Sequence, residues 1–392
     1  MKNIILYVNN NTEGKKRMKI MVATDFHLSY RQYGLEEREK DFYKQYKKLI
    51  KAAVKEKPDL FIQLGDIFDT PYPKPIAIKE FMEGIETLHE NGIRCYGIAG
   101  NHTLVQRRNY YPIDNLFKDK MKMLNNEGMT VIDKEMDNTV YICGLNYRPR
   151  THDIKQDIDN LYEKGKKAKV KILLLHQILK KDQWIGYDYD EEGLGLDRFD
   201  YVLLGHFHKK TTRKSGKAVI HYPGSLNSCS IPEIIDEMRY GRGYTLIDTD
   251  TGSLETVSLG GSRNYVQFNL TDDDLNEDRT SQMAALLKEY PSKPIVHLNV
   301  VMKDRKHIYE TVKELEKYSL IVKTKTVSTE TETETENPIQ FKAEYSIDNL
   351  IREKYPEKWK ADLCIGLLEL LGEGKTEEAK ELADKVYKQQ YQ

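Results

Sequence analysis

Five apolar runs in this chain each end in side chains able to bind a metal or move a proton. They are VATDFH with Asp25 and His27, FIQLGD with Asp66, GIAGNH with Asn101 and His102, ILLLHQ with His176, and VLLGHFH with His206 and His208. A lone histidine after an apolar run is more often a hydrogen-bonded core residue than a ligand. Here five of the ten histidines fall in that position, which reverses the balance. Carboxylate, imidazole and amide donors together suit Mn²⁺, Fe or Zn²⁺ better than Ca²⁺, which takes oxygens, or a zinc site built on thiolates. The donors are too many for one ion. Two ions sharing a carboxylate would use them, and ions roughly 3.5–4 Å apart clamp a phosphate and activate a water, which is phosphoester hydrolysis.

Something must bring these distant residues together. From residue 18 to about 225, short β-branched runs such as KIMVA and DLFIQL alternate with helical stretches such as the charged segment around Glu37 to Glu56, an α/β pattern. Side chains placed just after such strands can converge on one crevice at the strand ends. In Asp-x-His and His-x-His, residues two apart on an extended chain share a face. Between about 240 and 268, YTLIDTDTG and YVQFNL read as strands that close the second sheet of a catalytic domain spanning 18–270. Residues 271–328 then read helix, strand IVHLNVVM, helix, strand LIVKTKTV, a separate small α+β unit. Residues 329–344 contain TETETETE, read as an acidic solvated linker, with strand alternation as the competing reading. Residues 345–392 carry Trp359, Leu363, Leu367 and Leu370 at helical spacing and a break at GEGK, giving a helical hairpin. Residues 1–17 read as a dispensable extension, with Met18 as the natural start.

The order D-x-H, G-D, G-N-H, H and G-H-x-H resembles the calcineurin-like metallophosphoesterase superfamily over residues 18–225. HLSYRQYGLEEREKDFYKQY, GDIFDT, LLLHQ and YPGSL together resemble its SbcD-type branch, the exonuclease subunits related to the meiotic recombination nuclease. The resemblance implies a two-sheet sandwich flanked by helices, a small α+β cap domain that contacts duplex DNA, and a helical C-terminal tail that binds an SMC-like ATPase of the SbcC type. It implies two Mn²⁺ ions, one held by Asp25, His27, Asp66 and His208, the other by Asp66, Asn101, His176 and His206. His102 would be the catalytic histidine, acting near the scissile phosphate. The implied activity is exonuclease on double strands and endonuclease on single strands, in break repair or recombination. A homodimer built on helices around Tyr110 to Leu124 is also implied. Two positions depart from the family: Thr103 stands where an acid usually follows Asn-His, and Asp69 where some relatives carry a second histidine.

Lys+Arg of 61 against Asp+Glu of 62 gives a net charge of −1, so nucleic acid can be held only by local basic patches. Candidates are Lys209, Lys210 and Arg213 just after the last motif, and Arg107 and Arg108 after Asn-His. Each run reads equally as a solvated turn. Four scattered cysteines without a CxxC pair fit a reducing compartment. The apolar run Ile4 to Val8 is too short for a signal peptide, and nothing approaches a membrane span. The expected setting is the cytoplasm of a bacterial or phage-infected cell. GEGKT at 372–376 lacks the first Walker A glycine, so ATP hydrolysis would belong to a partner. Two other functions share the motifs: a phosphomonoesterase or cyclic-nucleotide phosphodiesterase, and a non-catalytic subunit that binds DNA ends as a scaffold.

Overall fold

A computed structural model describes residues 5–7, 18–103, 116–133, 138–183, 185–230, 233–234, 237, 241–261, 263–302, 308–328, 355, 357–372 and 376–391. The chain divides into two units, Met1–Val327 and Ser328–Gln392.

The larger unit is built on two mixed sheets. One has six strands, in the order β13 (Leu254–Ser258), β12 (Gly243–Asp248), β2 (Lys19–Ala23), β3 (Leu60–Gln63), β4 (Arg94–Gly97) and β5 (Met121–Met123). The other has seven: β1 (Ile5–Tyr7), β6 (Glu127–Asp133), β7 (Asn138–Gly144), β8 (Val170–His176), β9 (Tyr201–Gly205), β11 (Ala218–Tyr222) and β10 (Thr211–Ser215). The period-2 alternation of strands decides which face each residue covers. Ile20, Val22 and Ile62 of one sheet meet Ile142, Ile172, Leu174 and Leu203 of the other in the middle of the sandwich. Met21 and Phe61 turn outward onto α1 (Glu36–Glu56) and α2 (Pro75–Glu90). Leu173 and Leu175 turn the opposite way, onto a layer that includes α3 (Lys155–Gly165). Strands buried on both faces read as continuous apolar runs, which is why the motifs were preceded by them. Each fully buried aliphatic side chain contributes about 1.5–3 kcal/mol of transfer free energy.

Helix α1 opens with Glu36, Glu37 and Glu39 in its first turn, favourable against the positive end of the helix dipole. It ends at Lys57 in the left-handed conformation, whose amide bonds back to the Ala53 carbonyl. Its apolar stripe of Tyr43, Tyr46, Leu49, Ile50 and Ala53 faces the six-stranded sheet. Helix α2 begins with Pro75 in its first turn, where the missing N–H is not needed.

The strand YVQFNL does not close a catalytic sheet. As β14 (Tyr265–Thr271) it pairs in parallel with β15 (Ile295–Met302), and with β16 (Ile321–Ser328) they form a separate three-stranded sheet. Helices α4 (Glu277–Lys288) and α5 (Ile308–Glu316) complete this cap, with Val266, Leu270, Met283, Leu287, Leu298 and Leu315 inside it. The cap thus begins before residue 265, not at 271. YTLIDTDTG, as β12, does join the six-stranded sheet, antiparallel to β2. Residues 116–124, read as the end of a dimer helix, instead form a short turn and the edge strand β5. Residues 110–115 of that segment lie outside the described residues, as does the linker 329–344. Of the extension 1–17 only β1 is described, an edge strand parallel to β6. In the second unit, α6 (Lys358–Gly372) and α7 (Thr376–Tyr391) pack together, with Ala361, Ile365 and Ala379 buried and Gly366 against Leu382.

Candidate metal centre

The ligand-bearing strands come from both sheets. Strands β2, β3 and β4 run parallel in one, β8 and β9 parallel in the other. Their carboxyl ends deliver Asp25, His27, Asp66, Asn101, His176, His206 and His208 to one place. Backbone hydrogen bonds tie the motif loops to each other: Asp25 N to the Gly65 carbonyl (3.2 Å), His27 N to the Asp66 carbonyl (3.1 Å), and Leu226 N to the Asp25 carbonyl (3.3 Å).

The loops are tight enough to strain the chain. Asp25, His27, Asp66 and His206 all have positive φ, four of the eight non-glycine residues that do among those described. Such backbone persists where surrounding structure over-determines it, and it clusters at functional sites. The glycine before three of the motifs has a matching reason. A Cβ on Gly65 would lie 2.1 Å from the His176 ring, one on Gly100 2.1 Å from Asp66 Oδ1, and one on Gly205 2.3 Å from the Leu64 carbonyl.

Two clusters emerge that share one carboxylate. Asp25, His27 and Asp66 form one, and Asp66, His176 and His206 the other, with the candidate donor atoms within 4.8 Å of each other in each group. His208 Nε2 joins the first, 3.1 Å from His27 Nε2 and 3.7 Å from Asp25 Oδ1. Asn101 Oδ1 joins the second, 3.2 Å from His176 Nε2. Asp25, Asp66 and His176 are essentially without solvent exposure.

The rings are oriented from behind, as metal-binding histidines are. His176 Nδ1 donates to the Leu64 carbonyl at 2.6 Å, which leaves Nε2 facing Asp66 at 3.2 Å. His208 Nδ1 lies 3.2 Å from Glu233, and His206 Nε2 lies 3.6 Å from Asp188. Tyr147 packs edge-on against the His206 ring. Glu233, Asp188 and Tyr147 carry no motif and were not singled out by sequence; only an acid in a segment just after YPGSL could have signalled Glu233.

His102 lies at the edge of the donors, its ring 4.8 Å from that of His27 and grouped with His27 and Asp69. Its amide donates to Asp66 Oδ1 at 3.0 Å, and its Nδ1 lies 2.6 Å from the Asp69 carbonyl oxygen. A carbonyl only accepts, so Nδ1 carries the proton and Nε2 is left facing outward, 3.9 Å from Asp66 Oδ2. The side chain is 38% exposed, unlike those of the buried ligands. Thr103 takes no part in this: its hydroxyl donates to the Gly100 carbonyl at 3.2 Å. The main chain of Asp69 therefore does the orienting that a following acid would do.

The buried charges fit a cation. Burial opposes ionisation of Asp66, but His176, His27 and His102 around it hold its carboxyl well below the usual range. Burial likewise opposes protonation of His176, and the Asp66 carboxylate outweighs it, raising His176 above an ordinary imidazole. Burial and then the neighbouring His176 push His206 down to about 3, so its ring is neutral with a free lone pair, as a ligand requires. Asp66 Oδ2 is buried among imidazole nitrogens, His176 Nε2 at 3.2 Å, His102 Nε2 at 3.9 Å and His27 Nε2 at 4.0 Å. Buried carboxylate oxygens and imidazole nitrogens crowded together in this way match a divalent ion, and the mixed N and O set matches Mn²⁺, Fe or Zn²⁺.

Comparison with known proteins decides the family. The calcineurin-like phosphoesterase family matches residues 18–210. The DNA double-strand break repair protein Mre11 of Saccharolobus solfataricus is 30% identical over 302 residues, covering 72% of this chain and 75% of that protein. This chain belongs to the Mre11 family. The Mre11 proteins of Methanocaldococcus jannaschii and Methanococcus maripaludis are each 29% identical to it. They cover 76% and 72% of this chain, and it covers 80% and 78% of them. The expected two-sheet sandwich and the expected metallophosphoesterase class are both met in this Mre11-type chain.

The basic candidates divide. Arg213 on β10 is spent on two acids: its Nε and Nη2 donate to Asp182 at 2.7 and 2.9 Å, and its Nη1 to Glu191 at 3.2 Å. It fastens strand to loop and has no donor fork left to present to a phosphate. Lys210 is half-buried, its Nζ 3.4 Å from Thr256 Oγ1. Lys209 is exposed beside the site. Arg107 and Arg108 lie outside the described residues. No helix among the described residues is long and apolar enough to cross a membrane.

Proposed function

We propose that this chain is the nuclease subunit of a DNA break-repair or recombination machine, hydrolysing backbone phosphodiesters with two Mn²⁺ ions. One observation carries the reading: Asp66 sits between two donor clusters, with the exposed face of His102 beside it. Asp25, His27, Asp66 and His208 would hold one ion, and Asp66, Asn101, His176 and His206 the other. Bound there, the ions would supply an activated water and neutralise charge on the phosphate. Asp66 would belong to both sets. His102, its Nδ1–H held by the Asp69 carbonyl, would in its doubly protonated form donate Nε2–H to a phosphate oxygen or to the leaving oxygen. Relatives named for double-strand break repair support DNA as the substrate. Lys209, exposed and adjacent to His208 in the chain, is a basic residue that would meet a phosphate.

The partner assignments belong to the same reading: duplex DNA against the cap, an SMC-like ATPase on the α6–α7 hairpin, and a homodimer. A cytoplasmic location accords with it. The relatives named above are archaeal, so a bacterial or phage host draws no support from them.

The test is digestion of end-labelled DNA by the full chain with Mn²⁺ or Mg²⁺. Asp66→Ala should abolish cleavage, and His102→Gln should lower it about 10²–10⁴-fold while ion binding persists. Intact DNA alongside ready turnover of a nitrophenyl phosphate would replace this reading with a phosphomonoesterase. DNA binding without any cleavage would replace it with a scaffold.

A further inference from the structure

The YPGSL segment leaves β11 and fastens two motif loops together. Ser225 N donates to the His208 carbonyl (3.1 Å) and Leu226 N to the Asp25 carbonyl. Beyond it Glu233 stands behind His208 Nδ1, and its carboxylate also accepts from Cys229 N (2.9 Å) and Ser230 Oγ (2.8 Å). The aim of His208 therefore depends on where residues 225–230 and Glu233 sit.

Two buried arginines decide that. Arg242, 4% exposed, donates to the Glu233 carbonyl (2.7 Å), to Ser225 Oγ (3.1 Å) and to the His208 carbonyl. Arg38 on α1, 1% exposed, donates through Nη2 to the Ser228 carbonyl (3.4 Å) and through Nε to Gln32 Oε1 (2.8 Å). Gln32 Nε2 in turn donates to the Cys229 carbonyl (3.0 Å). The other side of the Arg38 guanidinium faces the cap: Nη2 donates to the Tyr265 hydroxyl (3.0 Å) at the start of β14, and Nη1 to Asp41 (2.7 Å). Asp41 also receives Arg263, the residue leading into β14, through two donors at 2.5 and 3.0 Å.

An apolar contact would attach the cap with less desolvation than two guanidiniums and a carboxylate taken out of water. What the planar guanidinium adds is direction, since its five donors are fixed in a fork. Here that fork touches the cap, α1 and the loop behind His208 at once. We propose that Arg38 is a positioning residue that couples the seating of cap strand β14 to the aim of His208, through Gln32, the Cys229 carbonyl and Glu233. The proposal rests on His208 being an ion ligand, as in the proposed function.

The test is calorimetric titration of the full chain with MnCl₂, with thermal melts of each ion-free protein. Glu233→Gln should weaken binding about 10–100-fold, the usual effect of removing a ligand's orienting partner. Arg38→Lys, which keeps the charge but loses the fork, should weaken it about tenfold, and Tyr265→Phe about threefold. The double variant Arg38→Lys/Glu233→Gln should bind no more weakly than Glu233→Gln alone, because both act on one contact. Unchanged affinity in folded Arg38→Lys and Tyr265→Phe, or losses that multiply in the double variant, would overturn the coupling. Should Arg38→Lys melt below the assay temperature, Tyr265→Phe, which removes one hydroxyl, decides alone. Wild type that takes up no Mn²⁺ would overturn the two-ion reading itself, a result distinct from two ions bound equally well by all variants.

Discussion

His102 shows how much a single orientation depends on backbone. A sequence that lacks the usual acid at Thr103 still aims its histidine, because the acceptor is the main-chain carbonyl of Asp69, which any residue at that position offers. His221 offers a cleaner energetic test, away from the donors. It is fully buried between Thr212 Oγ1 and Thr245 Oγ1, each at 2.8 Å, and burial pushes its pKa down to about 4 from 6.5. The folded state thus binds this proton less readily than the unfolded chain. Stability from this group is complete above pH 6.5 and is lost as pH falls toward 4, by ~3 kcal/mol in all. Urea unfolding of His221→Asn and wild type across that window should show the variant's stability falling less steeply. Parallel curves would mean that His221 titrates normally in the folded protein.

At the scale of elements, β10 and the loop after β8 are held by charge. Asp182 and Glu191 have side chains 2% and 4% exposed, and Arg213 neutralises both. Arg213→Ala leaves Asp182 without its arginine and Glu191 with Lys181 alone, and should destabilise by ~3 kcal/mol in chemical unfolding. Its effect on DNA affinity should be small. Lys209→Ala should do the reverse, leaving stability within about 0.5 kcal/mol and reducing the slope of log affinity against log salt by about one. If Arg213→Ala lowered the salt slope and Lys209→Ala did not, the assignment of the two residues would have to be exchanged.

Across the whole molecule, the site joins the two halves of the sandwich, with candidate donors following β2, β3 and β4 on one side and β8 and β9 on the other. Ions bound there would cross-link the sheets in the folded state only. At a Mn²⁺ concentration 100 times its Kd, mass action should add about 2.7 kcal/mol to stability. Scanning calorimetry should show this rise in Tm for wild type and its loss in Asp66→Asn. An equal rise in the variant would place the stabilising ion elsewhere.

The order of strands and helices and the metallophosphoesterase motifs were legible in the sequence because they are local: an apolar run and the polar side chains that follow it are neighbours in the chain. The convergence of those side chains, and the division of their strands between two sheets, came only with the tertiary structure. YVQFNL alternates in the same way whichever sheet receives it, so its place beside β15 had to be seen. Arg213 read as a cation for phosphate because Asp182 and Glu191 are 31 and 22 residues away. Glu233, Asp188 and the Asp69 carbonyl act on histidines from different loops, and no spacing records that. Ligand identity is written in residue types, whereas ligand aim is set by long-range contacts that only the folded chain makes.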